Sequence, residues 1–354
     1  MSQTSLPPRS ESRGQTKPTP AKGKKPKKVK KRKRGLSIFL GVFAGLLVLV
    51  AAALGYVVLK TTDAIDNISS VSNNDEGVKV PVAESVKKKP VAMVLMGLDS
   101  RSHGGGLNTD VMMVAAFDPE TKKATVVSIP RDTYIAVEGY KGRKANSIYA
   151  AFYSDVKSKG ADTEKAQLAG KKAVSDVLGK LFEIDIKYAG IINFQGFSDV
   201  VDAVGGVKVN VDMRMKYTDN ADGTKIDLQP GIQNLDGDKA LDFVRYRKSN
   251  DGRNMSSDFD RNRRQSEVIG AIVDKLTSLG GAAKIGSVIE AVGNNIRIDM
   301  PSREITRMLE TYYSVRSDDI TFLALDGVWR SPYVYADETS LANVRTALKE
   351  KMGE

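Results

Sequence analysis

Short apolar runs bounded by turn residues recur after the first quarter of the chain. Residues 91–98, 111–117 and 124–129 are almost wholly apolar. Runs of this length without polar alternation are typical of central strands that are buried on both faces. The same reasoning predicts further strands at residues 188–192, 207–211, 241–245 and 320–325.

Apolar positions spaced near 3.6 residues predict helices between these strands. The predicted helices cover residues 163–181, 194–204, 257–279 and 301–314. Asp162 is placed to cap the first helix, Gly205 and Gly206 to end the second, and Pro301 to begin the fourth. Strands that alternate with helices predict a three-layer α/β/α sandwich with a central mixed sheet, in one domain over residues 91–354.

Residues 36–59 form an uncharged apolar run that predicts a transmembrane helix ahead of this domain. At ~1.5 Å per residue the run is long enough to cross a hydrocarbon core of ~30 Å. A cleaved signal peptide is the alternative, but its apolar region usually has only about 7–15 residues. We therefore expect an uncleaved anchor, with residues 60–90 as a polar stalk and the large domain outside the cell.

The net charge of +11 is explained by the N-terminal segment. Residues 1–35 contain 13 basic side chains and one acid, so the remaining residues sum to about −1. Such a tail could bind nucleic acid, but it lies directly beside the apolar run and contains no helix-turn-helix pattern. Positive charge on this flank predicts a disordered cytoplasmic tail close to membrane lipid, in a single-pass membrane protein that binds no nucleic acid.

The usual nucleophilic and zinc chemistries are excluded by composition. The chain has no cysteine and a single histidine, His103, which lies in a glycine-rich loop. A Cys-His pair and a histidine-rich zinc site therefore lack their parts, and a Ser-His-Asp triad would need this single loop histidine as its base. No Walker A or dinucleotide-binding loop is present either.

Acids and arginines instead follow the predicted strands or begin the long helix. They comprise Asp99, Arg101, Asp110, Arg131, Arg245, Arg247, Asp258, Arg261 and Arg264, and Gln265 follows the last of them. Neighbouring strands would bring the first four to one sheet edge, and the spacing of Arg261 and Arg264 places both on one helix face. Several arginines suit a pyrophosphate, and paired aspartates suit Mg²⁺. This chemistry predicts Mg²⁺-assisted phosphoryl transfer or pyrophosphate cleavage.

At these residues the sequence resembles the LytR-CpsA-Psr family of cell-envelope proteins. The matching blocks are Gly97-x-Asp99-Ser-Arg101, Thr109-Asp110, Ser128-Ile-Pro-Arg131-Asp132, Lys144-x-Asn146-x-x-Tyr149, Val201-Asp-Ala-Val-Gly-Gly-Val207, Leu235-Asp-Gly-Asp-Lys-Ala-Leu241, Val244-Arg245-Tyr-Arg247 and Asp258-Phe-x-Arg261-x-x-Arg264-Gln265. Eight blocks in family order, over residues 91 to about 276, are very unlikely to match by chance.

The resemblance implies a phosphotransferase that acts outside the membrane. It would move a teichoic acid, capsular polysaccharide or similar glycopolymer from a polyprenyl-pyrophosphate carrier to peptidoglycan. It also implies an apolar pocket for the lipid and Mg²⁺ or Mn²⁺ at the pyrophosphate. The metal ligands would be Asp99 and Asp110. Phosphate contacts would come from Arg101, Arg131, Arg245, Arg247 and Arg261, with Asp258, Arg264 and Gln265 completing that wall.

Several alternatives remain open at this point. The proton acceptor is Asp99 or Asp258, and the long segment between Arg247 and Asp258 is either a flap over the site or a tolerated insertion. Asn108 stands where relatives often have an arginine, so one phosphate contact is in question. A non-catalytic, membrane-anchored protein that grips envelope polyanions would use the same arginines.

Overall fold

The computed structural model describes residues 65–70, 80–98, 106–220, 223–278, 281–293 and 295–354. The strands are β1 (Val91–Leu98), β2 (Thr109–Asp118), β3 (Lys123–Ser128), β4 (Tyr134–Ile135), β5 (Arg143–Lys144), β6 (Ile186–Asn193), β7 (Val207–Val211), β8 (Met215–Thr218), β9 (Lys225–Leu228), β10 (Gly231–Leu235), β11 (Ile296–Ile298), β12 (Ile320–Ala324), β13 (Gly327–Arg330) and β14 (Tyr333–Ala336). The helices are α1 (Ile148–Ser158), α2 (Thr163–Phe182), α3 (Phe194–Ala203), α4 (Gly237–Arg245), α5 (Asp258–Thr277), α6 (Gly281–Val292), α7 (Ser302–Tyr312) and α8 (Glu338–Met352).

Six strands form the central sheet, in the order β11-β6-β1-β2-β3-β12. The pairs β1–β6 and β3–β12 are parallel, whereas β1–β2, β2–β3 and β6–β11 are antiparallel. The predicted mixed sheet is therefore confirmed. Its strands at residues 91–98, 111–117, 124–129, 188–192 and 320–325 were predicted to within a few residues. The predicted strand at 207–211 is also present, but it pairs with β10 in a separate two-stranded sheet.

Both faces of the sheet are covered, which explains the unbroken apolar runs. On the first face Ala92, Val94 and Met96 pack against α1, α2 and α8. On the second face Val91 and Met93 belong to a core that includes residues of α6 and α7. A third apolar cluster joins α3, α4 and α5 to strands β7–β10.

The helix ends follow the capping residues of the sequence. Asp162 accepts a hydrogen bond from the Lys165 amide, and Ser257 forms a reciprocal capping box with Asp260. Gly205 and Gly206 follow α3 with positive φ, as a helix stop requires. Pro301 is the N-cap of α7. The four predicted helices are thus confirmed to within two residues at each end.

Residues 241–245, predicted as a strand, belong instead to helix α4. Asp236 caps this helix by accepting from the Lys239 amide, and its buried residues include Ala240, Phe243 and Val244. Their spacing is that of a helix face, so the apolar run is short because it is one turn of a helix rather than a strand. Arg245 and Arg247 therefore follow a helix.

Part of the predicted stalk packs on the domain. Ile65 and Ile68 are buried in the second-face core, and the amide of Ser70 donates to the Ile298 carbonyl at 2.7 Å. Val86 is also buried, and its amide donates to the Glu304 carboxylate at 3.0 Å. The described residues between 65 and 90 are therefore attached to the fold. No helix in the described segments is long and apolar enough to cross a bilayer; the predicted span at residues 36–59 lies outside them.

Candidate active site

A cavity of about 790 Å³ lies against the second face of the central sheet. Its floor comes from strands β1, β2, β6 and β11, and its walls from helices α3, α4 and α5 and from β8 and β9. Apolar side chains predominate, including Leu95, Val111, Phe197, Ile269, Ile272 and Ile298. A space of this size and lining suits an apolar ligand.

Two paired strand positions of the floor differ in size, and the side chains of Leu95 and Ile298 lie over the glycine. Leu95 on β1 pairs with Gly190 on β6. Leu95 is 37% exposed although it lies in a central strand, while its neighbour Val94 on the opposite face is fully buried. Gly190 contributes no side chain, and both residues line the cavity.

Polar and charged side chains converge on the same cavity. They are Asn108, Asp110, Arg131, Arg245, Arg247, Lys248, Arg261 and Gln265. The structure thus brings together six of the residues singled out in the sequence, from β2, the loop after β3, the end of α4 and the start of α5. The result is an apolar chamber with a cationic wall.

Arg131 is held in a chain of ion pairs that begins at Asp110. Its Nη1 donates to Asp110 Oδ1 at 2.8 Å, and its Nε lies 3.5 Å from Asp132 Oδ2. Lys144 Nζ donates to Asp132 Oδ1 at 2.8 Å. The Asn146 amide donates to the Arg131 carbonyl at 3.0 Å, which fixes the loop. Lys144 and Asn146, which belong to one sequence block, therefore help to position Arg131.

Arg261 shows that positive charge is concentrated in this wall. Burial, together with the neighbouring charges of Arg247 and Arg131, lowers the pKa of its guanidinium to about 10. Asp258 forms an ion pair with Arg261 but is not among the cavity-lining residues. Crowded cations of this kind are stabilised when an anion binds between them.

Arg264 occupies a different place from Arg261. It is completely buried, and its Nε and Nη2 donate to the two oxygens of Asp212 at 2.8 and 2.9 Å. Burial alone would raise the pKa of Asp212, but the hydrogen bond and charge of Arg264 hold it below its ordinary value. Arg264 also donates to Ser256 Oγ at 2.8 Å. It anchors α5, and the structure does not bring it to the cavity.

The segment after Arg247 is a folded loop. Tyr246 is fully buried, and its hydroxyl lies 2.8 Å from Ser249 Oγ. Asn250 exchanges two hydrogen bonds with the backbone of Thr218 on β8, at 2.7 and 2.8 Å. Arg245 lies over the Phe194 ring, 4.3 Å from its centroid. These contacts favour an ordered insertion over a flap.

Asp99, Arg101 and His103 lie outside the described residues. Within the described part of the chain, no group of three or more His, Cys, Asp or Glu side chains could hold a metal ion. Mg²⁺ usually takes one or two carboxylates and completes its shell with water and substrate phosphate. Asp110 fits that role because its partly exposed carboxylate lines the cavity beside the arginines.

Most of the cavity-lining residues that sequence reasoning missed are apolar. Phe197, Ile269, Ile272 and Ile298 were not distinguished from ordinary core residues, because a packed core and an apolar chamber have the same composition. Tyr217, Asp219 and Thr224 also line the cavity, and no motif of the sequence marks them.

Comparison with known proteins settles the family. The model of the LytR_cpsA_psr family matches residues 55–350, which is most of the chain. The protein belongs to the LytR-CpsA-Psr family. The match begins before residue 91 and extends beyond residue 276, so the family domain is longer than the motifs alone indicated.

Several members of the family are similar to this chain over most of their length. A polyisoprenyl-teichoic acid–peptidoglycan teichoic acid transferase of Bacillus subtilis, TagV, is 28% identical over 88% of this chain and 77% of its own. The TagU protein of Bacillus cereus, with the same activity in its name, is 30% identical over 80% of this chain and 89% of its own. The crystal structure of B. subtilis TagV superposes with a TM-score of 0.59 at 27% identity, covering 75% of this chain and 98% of that one. These relatives support a transferase of the cell wall.

Proposed function

We propose that this protein transfers an envelope glycopolymer, a teichoic acid or a capsular or similar polysaccharide, from a polyprenyl-pyrophosphate carrier to peptidoglycan. The observation that carries the proposal is the joining of an apolar chamber to a wall of arginines. A prenyl chain suits Leu95, Ile269 and Ile298, and a pyrophosphate suits Arg131, Arg247 and Arg261. The names of the relatives support the same activity.

The reaction is a phosphoryl transfer in which the wall hydroxyl attacks the phosphorus attached to the glycan. A new P–O bond forms, the bond to the bridging oxygen breaks, and polyprenyl phosphate leaves. Negative charge spreads over the phosphate oxygens and the leaving group, where Arg131, Arg247 and Arg261 neutralise it. The hydroxyl proton passes to a carboxylate, for which Asp99 and Asp258 are the two candidates.

A divalent cation, Mg²⁺ or Mn²⁺, is part of the proposal. Asp110 would hold it, together with Asp99 as the family resemblance implies. When bound, it supplies positive charge to the phosphate oxygens. The carrier lipid also suits the proposed membrane anchor at residues 36–59, because enzyme and substrate would share one bilayer.

The test uses the full-length protein in detergent with Mg²⁺, a polyprenyl-pyrophosphate glycan and a peptidoglycan fragment. Release of polyprenyl phosphate and transfer of the glycan are measured. We expect Arg131→Ala to lower turnover by at least about 100-fold, because it removes a donor from the developing charge. Arg253→Ala is the matched control, since this arginine is exposed and does not line the cavity.

Two results would contradict the proposal. One is equal turnover by Arg131→Ala and the wild type. The other is tight binding of the substrate by a wild-type protein that never cleaves it, which would favour the non-catalytic polyanion binder. Asp110→Asn sharpens the second case, because an enzyme should keep binding and lose turnover.

A further inference from the structure

An exposed group of aromatic side chains continues from the ion-pair chain of Arg131. The hairpin β13–β14 carries Trp329 and Tyr335, which are 56% and 38% exposed. Tyr134 lies between the hairpin rings, with centroids 4.9 Å from Tyr333 and 5.7 Å from Tyr335. We call this surface the aromatic patch; its members are Tyr134, Val328, Trp329, Tyr333 and Tyr335.

The patch is connected to the candidate active site through backbone and side chains. The Val334 amide donates to the Asp132 carbonyl at 2.9 Å, and Thr133 and Val334 form a β-bridge. Lys144 Nζ, which is bonded to Asp132, lies 5.9 Å from the ring centroids of both Trp329 and Tyr333. The patch is therefore a direct neighbour of the Arg131–Asp132 pair.

The patch and Arg131 lie at the same edge of the sheet. Strands β3 and β12 are parallel neighbours, and Arg131 follows the end of β3 while the hairpin follows the end of β12. In phosphoryl transfer the attacking and leaving oxygens stand in line on opposite sides of the phosphorus. With the prenyl phosphate in the cavity, a hydroxyl held beside the hairpin would approach the phosphorus at Arg131 from outside the cavity.

The chemistry of the patch suits a sugar chain. Exposed aromatic rings with an apolar neighbour are unusual on a monomer surface and mark a binding site. The electron-rich ring faces attract the C–H faces of pyranose rings. Arg330 lies 5.8 Å from the Tyr335 ring centroid and Lys144 Nζ lies 5.9 Å from that of Trp329, so cations stand beside the rings where an acceptor could place its carboxylates.

We propose that the aromatic patch binds the acceptor glycan strand of peptidoglycan and presents its hydroxyl to the phosphorus at Arg131. This inference rests on the proposed function and assigns the second substrate of the same site. Trp329 provides the main stacking surface, and Tyr335 the next one.

The chain supplies its own probe, because Trp329 is its single tryptophan. A soluble fragment of alternating N-acetylglucosamine and N-acetylmuramic acid is titrated into the full-length protein in detergent, without donor, and tryptophan emission is recorded. We expect a saturable change in emission. This readout requires no turnover, so it does not depend on the success of the transfer assay.

The variant experiment follows acceptor kinetics. Trp329→Ala should raise the KM for the glycan by about five- to tenfold, with a smaller change in the KM for the lipid-linked donor. Trp329→Phe should restore most of the affinity. Ile232→Ala is the control, because Ile232 is an exposed apolar residue on β10, which pairs with β7. Thermal unfolding of each variant verifies folding.

Three results would overturn the inference. Unchanged emission at glycan concentrations that saturate transfer would remove the patch and leave the proposed function intact. A change with a glycerol phosphate oligomer but not with the glycan would assign the patch to an anionic donor polymer. A change in tryptophan emission when the protein is diluted without glycan would indicate that the patch is a self-association surface.

Discussion

The two faces of strand β1 have the same kind of sequence but opposite structural roles. On the first face Val94 is completely buried under helices of the core. On the second face Leu95 is 37% exposed and borders a cavity of about 790 Å³. One face is packed as densely as a protein interior usually is, and the other keeps a space open. At these adjacent positions Val94 therefore contributes to the stability of a closed core, whereas Leu95 borders a space that a ligand can occupy.

The largest expected effect distinguishes two arginines of helix α5: Arg264, which anchors the helix, and Arg261, which lines the cavity. Arg264→Ala should lower the free energy of unfolding by about 3–5 kcal/mol, because it leaves Asp212 without its buried partner. Arg261→Ala should change it by at most about 1 kcal/mol and lower turnover by about 100-fold. Urea unfolding and the transfer assay measure the two quantities. Similar losses of stability in both variants would remove the distinction.

The next effect concerns the pKa of Asp242 and its consequence for the free energy of unfolding. Burial raises the pKa of Asp242 on α4 to about 6. The folded state then holds this proton at pH values where the unfolded chain has lost it. The free energy of unfolding therefore falls as pH rises from about 4 to 6, by at most about 3 kcal/mol.

Asp242→Asn should abolish this part of the pH dependence and stabilise the protein at pH 7. Asp318→Asn is the control, because Asp318 is an exposed aspartate that is not among the charges acting on Asp242. The measurement is thermal or urea unfolding between pH 4 and 8. A pH profile unchanged by Asp242→Asn would contradict the prediction.

The smallest effect compares the two faces directly at adjacent positions. Val94→Ala should cost about 2 kcal/mol of unfolding free energy, since it removes two methyl groups from a closed core. Leu95→Ala should cost less than about 1 kcal/mol, since the side chain is already partly exposed in the cavity. It should instead raise the KM for the prenyl-linked donor. A larger loss for Leu95 than for Val94 would mean that the cavity is filled as a core.

The sequence predicted the central strands well because residues buried on both faces leave a continuous apolar run. It failed at residues 241–245, where one turn of helix α4 has the same short apolar density as a strand. It also grouped Arg261 with Arg264, since their spacing places both on one helix face. The contact that separates them, from Arg264 to Asp212, joins residues 52 positions apart. The cavity was expected only from the family resemblance, because local sequence does not show a space that a side chain fails to fill.

The attachment of residues 65–70 to the domain limits how far the domain can stand from the membrane that residues 36–59 are predicted to cross. Ser70 bonds to Ile298, a residue of the cavity floor. If residues 36–59 cross the membrane as predicted, five residues connect the end of that helix to Ile65, and the chain across them reaches about 20 Å at most. Under that prediction, only acceptor strands close to the membrane would come within reach of the cavity.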